Sequence, residues 1–255
     1  MAGSEAQIAP VEIRKLAHLD EFADIFEMQK TIWNYADSEL IPMRFLAVVA
    51  KVGGHIFGAY DGPRMIGFCF AIPGIKASGL PYLHSHMLGV LPEYRNAQIG
   101  RRLKLRQRED ALARGISLIE WTFDPLEIKN AFLNIEKLGA IVRVYKENQY
   151  GMTTSPLHGG LPTDRCTAEW WLDSPRVHAI LEGTGYRPAS GAERIAYPGD
   201  IAAIRRDDNT RARAIQQSNA SLFLDAFARG LAVTGFSRSD TEGAYLLEPW
   251  HPTWQ

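Results

Sequence analysis

The segment from Leu88 to Arg102, LGVLPEYRNAQIGRR, constrains this 255-residue chain more than any other. An apolar run predicted to be a strand passes through a short turn into a predicted helix, and Gly100 stands at the start of that helix. The first N–H groups of a helix lack partners inside it and carry the positive end of its dipole. Such a junction is typical of a phosphate-binding site, because glycine lets a ligand approach the backbone. A plain turn with a solvated basic face is the alternative.

The patterns on either side of this segment predict an α/β protein. Alternating or apolar runs predict strands at 11–16, 55–60, 65–72, 82–90, 116–123, 140–145 and 167–172. Helical spacing predicts helices at 19–33, 42–53, 99–114 and 127–138, two of them closed by Gly115 and Gly139. Residues 150–165 predict a long loop that is either mobile or functional. After Pro175 the pattern weakens to one helix at 208–229 and a hairpin at 231–236 and 244–247.

Composition excludes several classes of protein. With 46% hydrophobic residues, 22% charged residues and a net charge of -1, the chain is neither disordered nor a general binder of nucleic acid or anionic membranes. Its two cysteines cannot form a disulfide framework, which predicts a cytoplasmic protein with reduced thiols. No signal peptide and no membrane span are expected, and no set of His, Cys and Asp has metal-ligand spacing.

The order of the predicted elements, together with two motifs, resembles the GNAT acyltransferase family. VLPEYRNAQIGRRL resembles the family's pyrophosphate turn, (Arg/Gln)-x-x-Gly-x-(Gly/Ala): Arg95, Ile99 and Gly100 match, whereas Gln98 stands where the first glycine usually is. NIEKLGA, from Asn134 to Ala140, resembles the ending Tyr-Glu-Lys-Leu-Gly-Phe of the family's next helix.

This resemblance covers roughly residues 11–172. It implies a GNAT-type mixed α/β fold, with a mainly antiparallel central sheet and helices on both faces. We therefore expect a GNAT domain at 1–175 and a C-terminal extension at 176–255, either packed on that domain or used to form a homodimer.

The resemblance also implies an acyl-CoA site with acetyl-CoA or succinyl-CoA as co-substrate. In the family the pantetheine arm lies where two strands splay apart, and it would bond here to the backbone of Met87, Leu88 and Val90. Arg95, Arg101 and Arg102 would add positive charge beside the diphosphate. The amides that would hold the diphosphate are those of Asn96, Ala97, Gln98, Ile99 and Gly100. Asn130 and Asn134 could bond to pantetheine, or they could simply be exposed helix asparagines.

The implied reaction is N-acyl transfer to a small amine, for which three side chains are candidate catalytic groups. His84 aligns with a glutamate base of several family members, although half-buried histidines with structural hydrogen bonds are equally consistent with the pattern. Glu120 is the other candidate base, and a salt bridge explains it as well. The family's usual tyrosine acid aligns with Ile135 and its helix asparagine with Ile128, so both groups are missing from their places. Tyr145 or Tyr150 could supply a phenol from another direction, or both could simply pack.

The acceptor is predicted to be an amino acid. Arg165 in LPTDR could bind a carboxylate of the acceptor or of the acyl group in a two-pronged geometry, and an Asp164–Arg165 surface pair is the alternative. His86 lies two residues from His84 on the predicted strand and is a second candidate for substrate contact. A CoA-binding regulatory or structural protein that has lost catalysis is the competing hypothesis, which the missing tyrosine and the altered glycine favour.

Five basic residues of the predicted 99–114 helix are spread around it rather than along one side, and Glu109 and Asp110 directly follow the last of them. We interpret them as phosphate contacts of CoA together with a solvated face, rather than as a nucleic-acid surface. These residues are Arg101, Arg102, Lys104, Arg106 and Arg108.

Overall fold

The computed structural model describes residues 11–151, 159–188 and 191–255. Its contacts divide the chain into two compact units, Met1–Arg114 and Gly115–Gln255. Strand pairing within each unit is antiparallel, and the mixed α/β architecture predicted from the sequence is confirmed. The boundary expected near residue 175 stays a prediction.

The first unit is a four-stranded meander with three helices. Its strands pair in chain order, each with the next. They are β1 (Glu12–Lys15), β2 (His55–Asp61), β3 (Arg64–Ile75) and β4 (Pro81–Val90). The helices are α1 (Phe22–Trp33), α2 (Met43–Lys51) and α3 (Ile99–Ala113).

Alternation along β3 places two cores on opposite faces of this sheet. Phe68 and Phe70 belong to a cluster that contains residues of α1 and α2, among them Leu46. Cys69, between them in sequence, belongs to the cluster of Leu103 on α3. Since successive strand residues point to opposite faces, one apolar run supplies both cores. The expected helices on both faces are therefore present, and α3 is anchored beneath β4.

The second unit contains a six-stranded sheet with the order β5-β7-β6-β9-β10-β8. The strands are β5 (Leu118–Phe123), β6 (Ile141–Lys146), β7 (Arg165–Trp171), β8 (Glu193–Pro198), β9 (Leu231–Arg238) and β10 (Glu242–Pro249). The helices are α4 (Ile128–Phe132), α5 (Pro175–Leu181), α6 (Ile201–Asp207) and α7 (Asn209–Ala228). A π-helical turn, Leu133–Lys137, continues α4.

Three short elements after Pro175, namely α5, β8 and α6, were not predicted. Each carries only a few large apolar residues, which do not repeat often enough to show a helical or strand period. The predicted terminal hairpin is present as β9 and β10, and β9 lies beside β6. Residues on both sides of position 175 thus contribute strands to one sheet.

Candidate active site

The turn between β4 and α3 presents a row of backbone amides. The first hydrogen bond of α3 runs from Arg102 N to Gln98 O at 3.0 Å. Over the part of the chain that the structure describes, no carbonyl accepts from the amides of residues 96–101. The side chains from Arg95 to Gln98 are exposed, while Ile99 is buried and anchors the start of the helix. The turn therefore has the unpaired donors that an anion requires.

Gln98 has φ +60° and Asn96 has φ +68°, both in the left-handed region. Glycine adopts this region at no steric cost, whereas other residues are mildly strained in it. This explains why a glycine suits the position that Gln98 occupies. The glutamine nevertheless takes up the conformation, and its exposed side chain does not close the turn.

Gly100 is not required by the packing of the chain itself. A Cβ atom at this position would meet only Leu88 Cδ2, at 3.5 Å, which is an ordinary van der Waals contact, and its φ is not positive. The missing side chain instead leaves open space beside the unpaired amides. The side chains of Arg95 and Arg101 make no hydrogen bond or ion pair with any residue in the described ranges. Open amides, a small residue and uncommitted cations fit the diphosphate of CoA.

A β-bulge interrupts β4 just before the turn. Met87 pairs with Phe70 and Ser85 with Ala71, so that His86 is the extra residue on β4. A bulge removes one residue from the ladder and strengthens the local twist. It lies directly before Met87, Leu88 and Val90, whose backbone would bind pantetheine if the resemblance to the GNAT family holds there.

His84 and His86 lie side by side, with ring centroids 5.9 Å apart. Burial, together with the nearby His86 and Lys104, lowers the pKa of His84 to about 4. Burial also lowers the pKa of His86. Both rings are therefore neutral at pH 7, and His84 can accept a hydrogen bond but binds a proton weakly.

Lys104 contradicts the interpretation of α3 as carrying only phosphate contacts and a solvated face. It is 4% exposed, and its Nζ donates to Ser85 Oγ at 2.8 Å beneath β4. Ser85 Oγ in turn donates to Gln107 Oε1 at 3.0 Å. Burial lowers the pKa of Lys104 to about 7. The sequence could not show this, because helical spacing alone does not tell which side of α3 meets the sheet.

Within the second unit, Tyr150 and Arg165 come together with a third group. The Tyr150 hydroxyl lies 3.0 Å from Thr122 Oγ1 at the end of β5, and the Arg165 guanidinium carbon lies 5.6 Å from the Tyr150 ring centroid. Tyr150 is 49% exposed. A phenol, a hydroxyl and a guanidinium thus share one small region, which suits a carboxylate-bearing ligand.

Asp164 is not part of a surface pair with Arg165. It is 6% exposed, accepts from the Tyr145 hydroxyl at 2.7 Å, and accepts from Asn148 N at 2.9 Å. Thr163 is bound equally firmly, since its hydroxyl accepts from Tyr150 N and donates to Gly151 O. The segment before β7 is therefore held by its own hydrogen bonds. The central part of the 150–165 loop, residues 152–158, lies outside the described residues.

The other predicted residues of this unit differ in burial. Glu120 is 5% exposed on β5 and stands opposite Glu169, which is bound by Arg143. Asn130 is exposed, whereas Asn134 is 4% exposed in the π-helical turn. A π-helical turn often marks a functional site, because it widens the helix and redirects side chains. Asn134 is thus not an exposed helix asparagine.

Residues 19–139 match the sequence profile of the Acetyltransferase (GNAT) family. The chain carries a GNAT acetyltransferase domain. The resemblance inferred from the turn and from NIEKLGA is confirmed. Members transfer an acetyl group from acetyl-CoA to an amine, so the general activity of the domain is acyl-CoA-dependent N-acetyltransfer.

Solved structures of GNAT proteins resemble the fold. Arabidopsis thaliana NAA60 in complex with a bisubstrate analogue is 13% identical, with a TM-score of 0.52 over 64% of this chain and 98% of that one. A GNAT acetyltransferase from Streptococcus pneumoniae is 15% identical, with a TM-score of 0.51 over 63% of this chain and 98% of that one. No curated protein sequence matches the chain.

The chain departs from the GNAT pattern at the position of the family's usual tyrosine. Ile135 stands there, fully buried in the π-helical turn, and supplies no acidic group. Among the residues that the structure describes, no cluster of His, Cys, Asp and Glu could hold a metal ion. No helix in those same ranges is both long and apolar enough to cross a bilayer.

Proposed function

We propose that this protein transfers an acyl group from acetyl-CoA or succinyl-CoA to the amine of a small acceptor, most simply an amino acid. The observation that carries the proposal is the row of unpaired amides at residues 96–101 beside the open position of Gly100. The diphosphate binds there with Arg95 and Arg101, and the pantetheine arm binds the backbone at Met87, Leu88 and Val90. Asn130 and Asn134 are further proposed contacts of the cofactor.

The acceptor's carboxylate is bound by Arg165, which lies beside Tyr150 and Thr122. An α-amine has a pKa of about 7.7–8.0 and a lysine amine about 10.4, so an α-amine loses its proton far more easily at neutral pH. His84 is proposed as a candidate base for the amine, and His86 as a candidate substrate contact. Glu120 stays a candidate base, and Tyr150 a candidate proton donor to the leaving thiolate.

The first experiment is a thermal-shift measurement with acetyl-CoA and with succinyl-CoA. A ligand at 100 times its Kd stabilises the native state by about 2.7 kcal/mol, which gives a clear rise in Tm. A rise with either ligand supports the proposal, and the difference between the two identifies the acyl group. No shift with either one would refute acyl-CoA binding.

The competing hypothesis is a CoA-binding protein without catalysis. The buried Ile135 in place of an acid and the low pKa of His84 favour it. Release of CoA thiol from the bound acyl-CoA, measured with a panel of amino acids and simple amines, distinguishes the two hypotheses. Homodimer formation through residues 176–255 and a cytoplasmic location stay predictions, and sedimentation of the purified protein tests the first of them.

A further inference from the structure

A single guanidinium holds both sides of the junction between β5 and α4. Arg205, on α6, donates from Nη1 to Asp124 Oδ2 at 2.8 Å and from Nη2 to Glu127 Oε1. The other oxygen of Asp124 accepts from Leu126 N at 2.8 Å and closes the turn. Asp124 directly follows β5 and Glu127 directly precedes α4. The position at which α4 begins is therefore tied to one residue far along the chain.

The Arg205–Asp124 pair is largely removed from water. The side chains of Arg205 and Asp124 are 10% and 14% exposed. Burial raises the pKa of Asp124, and the positive charge of Arg205 opposes that rise. A buried carboxylate that loses its cation is left uncompensated, which is far more costly than losing a surface pair. Asp124 thus depends on Arg205 to stay charged in this position.

Other C-terminal residues hold the same stretch of chain. The Tyr245 hydroxyl donates to Pro125 O at 2.8 Å. Phe236 N donates to Glu136 Oε1 at 2.7 Å. Gly243 packs so closely on Ile128 that a Cβ there would lie 2.9 Å from Ile128 Cγ2. Contacts from α6, β9 and β10 therefore converge on residues 124–136.

We propose that Arg205 is a positioning residue of the transferase: its guanidinium fixes the start of α4 and so presents Asn130 and Asn134 to acyl-CoA. The family match ends at residue 139, so this places part of the machinery outside the matched segment. The proposal rests on the proposed function for its catalytic consequence. Its structural premise, that Arg205 orders residues 124–136, is independent of any activity.

The structural premise is tested by hydrogen exchange of the ligand-free full chain. Arg205→Met should raise the exchange rates of amides in residues 124–136 by tenfold or more, while the amides of β2 and β3 stay unchanged. Arg206→Met is the matched control, because Arg206 is the next residue, is exposed, and pairs with Asp207. If exchange in 124–136 is the same in both variants, Arg205 does not order the junction.

The catalytic consequence is tested by separating KM from kcat. Arg205→Met should raise the KM for acyl-CoA by at least tenfold with a change in kcat of less than threefold, while Arg206→Met leaves both unchanged. Arg205→Lys keeps the positive charge but cannot bind both carboxylates as a fork, so its affinity for acyl-CoA should lie between those of Arg205→Met and the unaltered protein. If Arg205→Met does not fold, the lysine variant should still fold and allow the measurement. An unchanged KM in both Arg205 variants overturns the proposal.

The two failures can be told apart. If the unaltered protein binds no acyl-CoA, the proposed function fails, and the exchange experiment still decides whether Arg205 orders the junction. If the unaltered protein transfers acyl groups and the Arg205 variants do so with the same KM, only the positioning role fails.

Discussion

At the scale of single residues, the two glycines nearest to the proposed diphosphate site differ in what they do. Gly89 is needed for packing, because a Cβ there would lie 2.7 Å from Trp33 Cη2 and 2.8 Å from Ile32 Cδ1. Gly100 has room for a Cβ in the protein itself. A glycine that packing does not require is the better marker of a ligand.

We therefore expect Gly100→Ala to leave the free energy of unfolding within about 0.5 kcal/mol of the unaltered protein, as for a site free of steric conflict. Its affinity for acetyl-CoA should fall at least tenfold, since the methyl group occupies space beside the amides. Chemical denaturation and isothermal titration calorimetry measure the two quantities. Gly89→Ala is the control and should lower stability clearly; equal CoA affinity in Gly100→Ala and the unaltered protein would contradict the assignment.

The low pKa of His84 predicts that the stability of the protein depends on pH. The pKa of His84 is about 4 in the folded protein, against 6.5 in the unfolded chain, because of burial and the nearby His86, Lys104 and Lys76. Between these values the unfolded state binds more protons, so stability falls as the pH drops from 6.5 towards 4. Between pH 6.5 and 4, the Tm of His84→Gln should fall less than the Tm of the unaltered protein. Melting curves at half-unit pH steps check this, and parallel curves for both proteins would show that His84 is not the sensitive group.

Substitution of Arg165 is expected to affect only acceptors that carry a carboxylate. Arg165→Gln removes the cation that is proposed to bind a carboxylate, and a charged hydrogen bond contributes about 1.5–3 kcal/mol, so the KM for an amino acid should rise by tenfold or more. The KM for the matching amine without a carboxylate should stay the same. Thiol-release assays with an amino acid and its decarboxylated amine make the comparison. An equal rise for both acceptors would point to a structural role for Arg165.

At the scale of elements, the segment before β7 is held as a rigid piece by buried hydrogen bonds rather than by regular structure. Asp164 is its centre, since one oxygen accepts from Tyr145 and the other from Asn148 N. The ring of Tyr145 stacks on that of Phe223 in α7, with ring centroids 5.2 Å apart, and this contact fixes the position of the Tyr145 hydroxyl. The carboxylate therefore connects β6, the loop and β7.

Asp164→Asn should lower the free energy of unfolding by about 1–3 kcal/mol, because charge-assisted buried hydrogen bonds are lost. Tyr145→Phe should cost less, since it removes only one of them. In the double variant the two effects should not add, because both act on one hydrogen bond. Urea denaturation of the four proteins measures the coupling, and full additivity would mean that the Tyr145–Asp164 bond contributes nothing.

At the scale of the whole molecule, residues beyond 175 complete the second unit. The strand β9 carries Ala232 and Val233, both fully buried, and lies beside β6. Trp254, close to the end of the chain, joins the cluster of Ile141 and Ala232. A chain without these residues would expose an apolar strand edge.

We expect a protein of residues 1–175 to be aggregated or only partly folded, because removal of β9 leaves β6 with an unpaired edge. Size-exclusion chromatography and near-ultraviolet circular dichroism give the readout, with the full chain as reference. A monomeric 1–175 protein with a cooperative melt would instead support an independent domain ending near 175.

The helix-start geometry could be predicted from the sequence because it is local. Gly100, the strand before it and the apolar spacing after it lie within about 15 residues, and backbone hydrogen bonding makes the amides at such a junction unpaired whatever surrounds them. The same locality explains why elements with a repeated apolar pattern were recognised. It also explains why α5, β8 and α6, each with only a few large apolar residues, were not.

Other features depend on partners far apart in sequence. Only the tertiary fold places Lys104 beneath β4, where it donates to Ser85. In the same way, the Asp164 carboxylate accepts a hydrogen bond from Tyr145 instead of pairing with Arg165. The fold also brings Arg205 to Asp124. It also made His86 a bulge, which depends on how β3 and β4 are registered. The sequence by itself determined the local donors and the fold class. The burial and pairing of charged side chains were decided in three dimensions, because a long-range contact leaves no periodic trace in the chain.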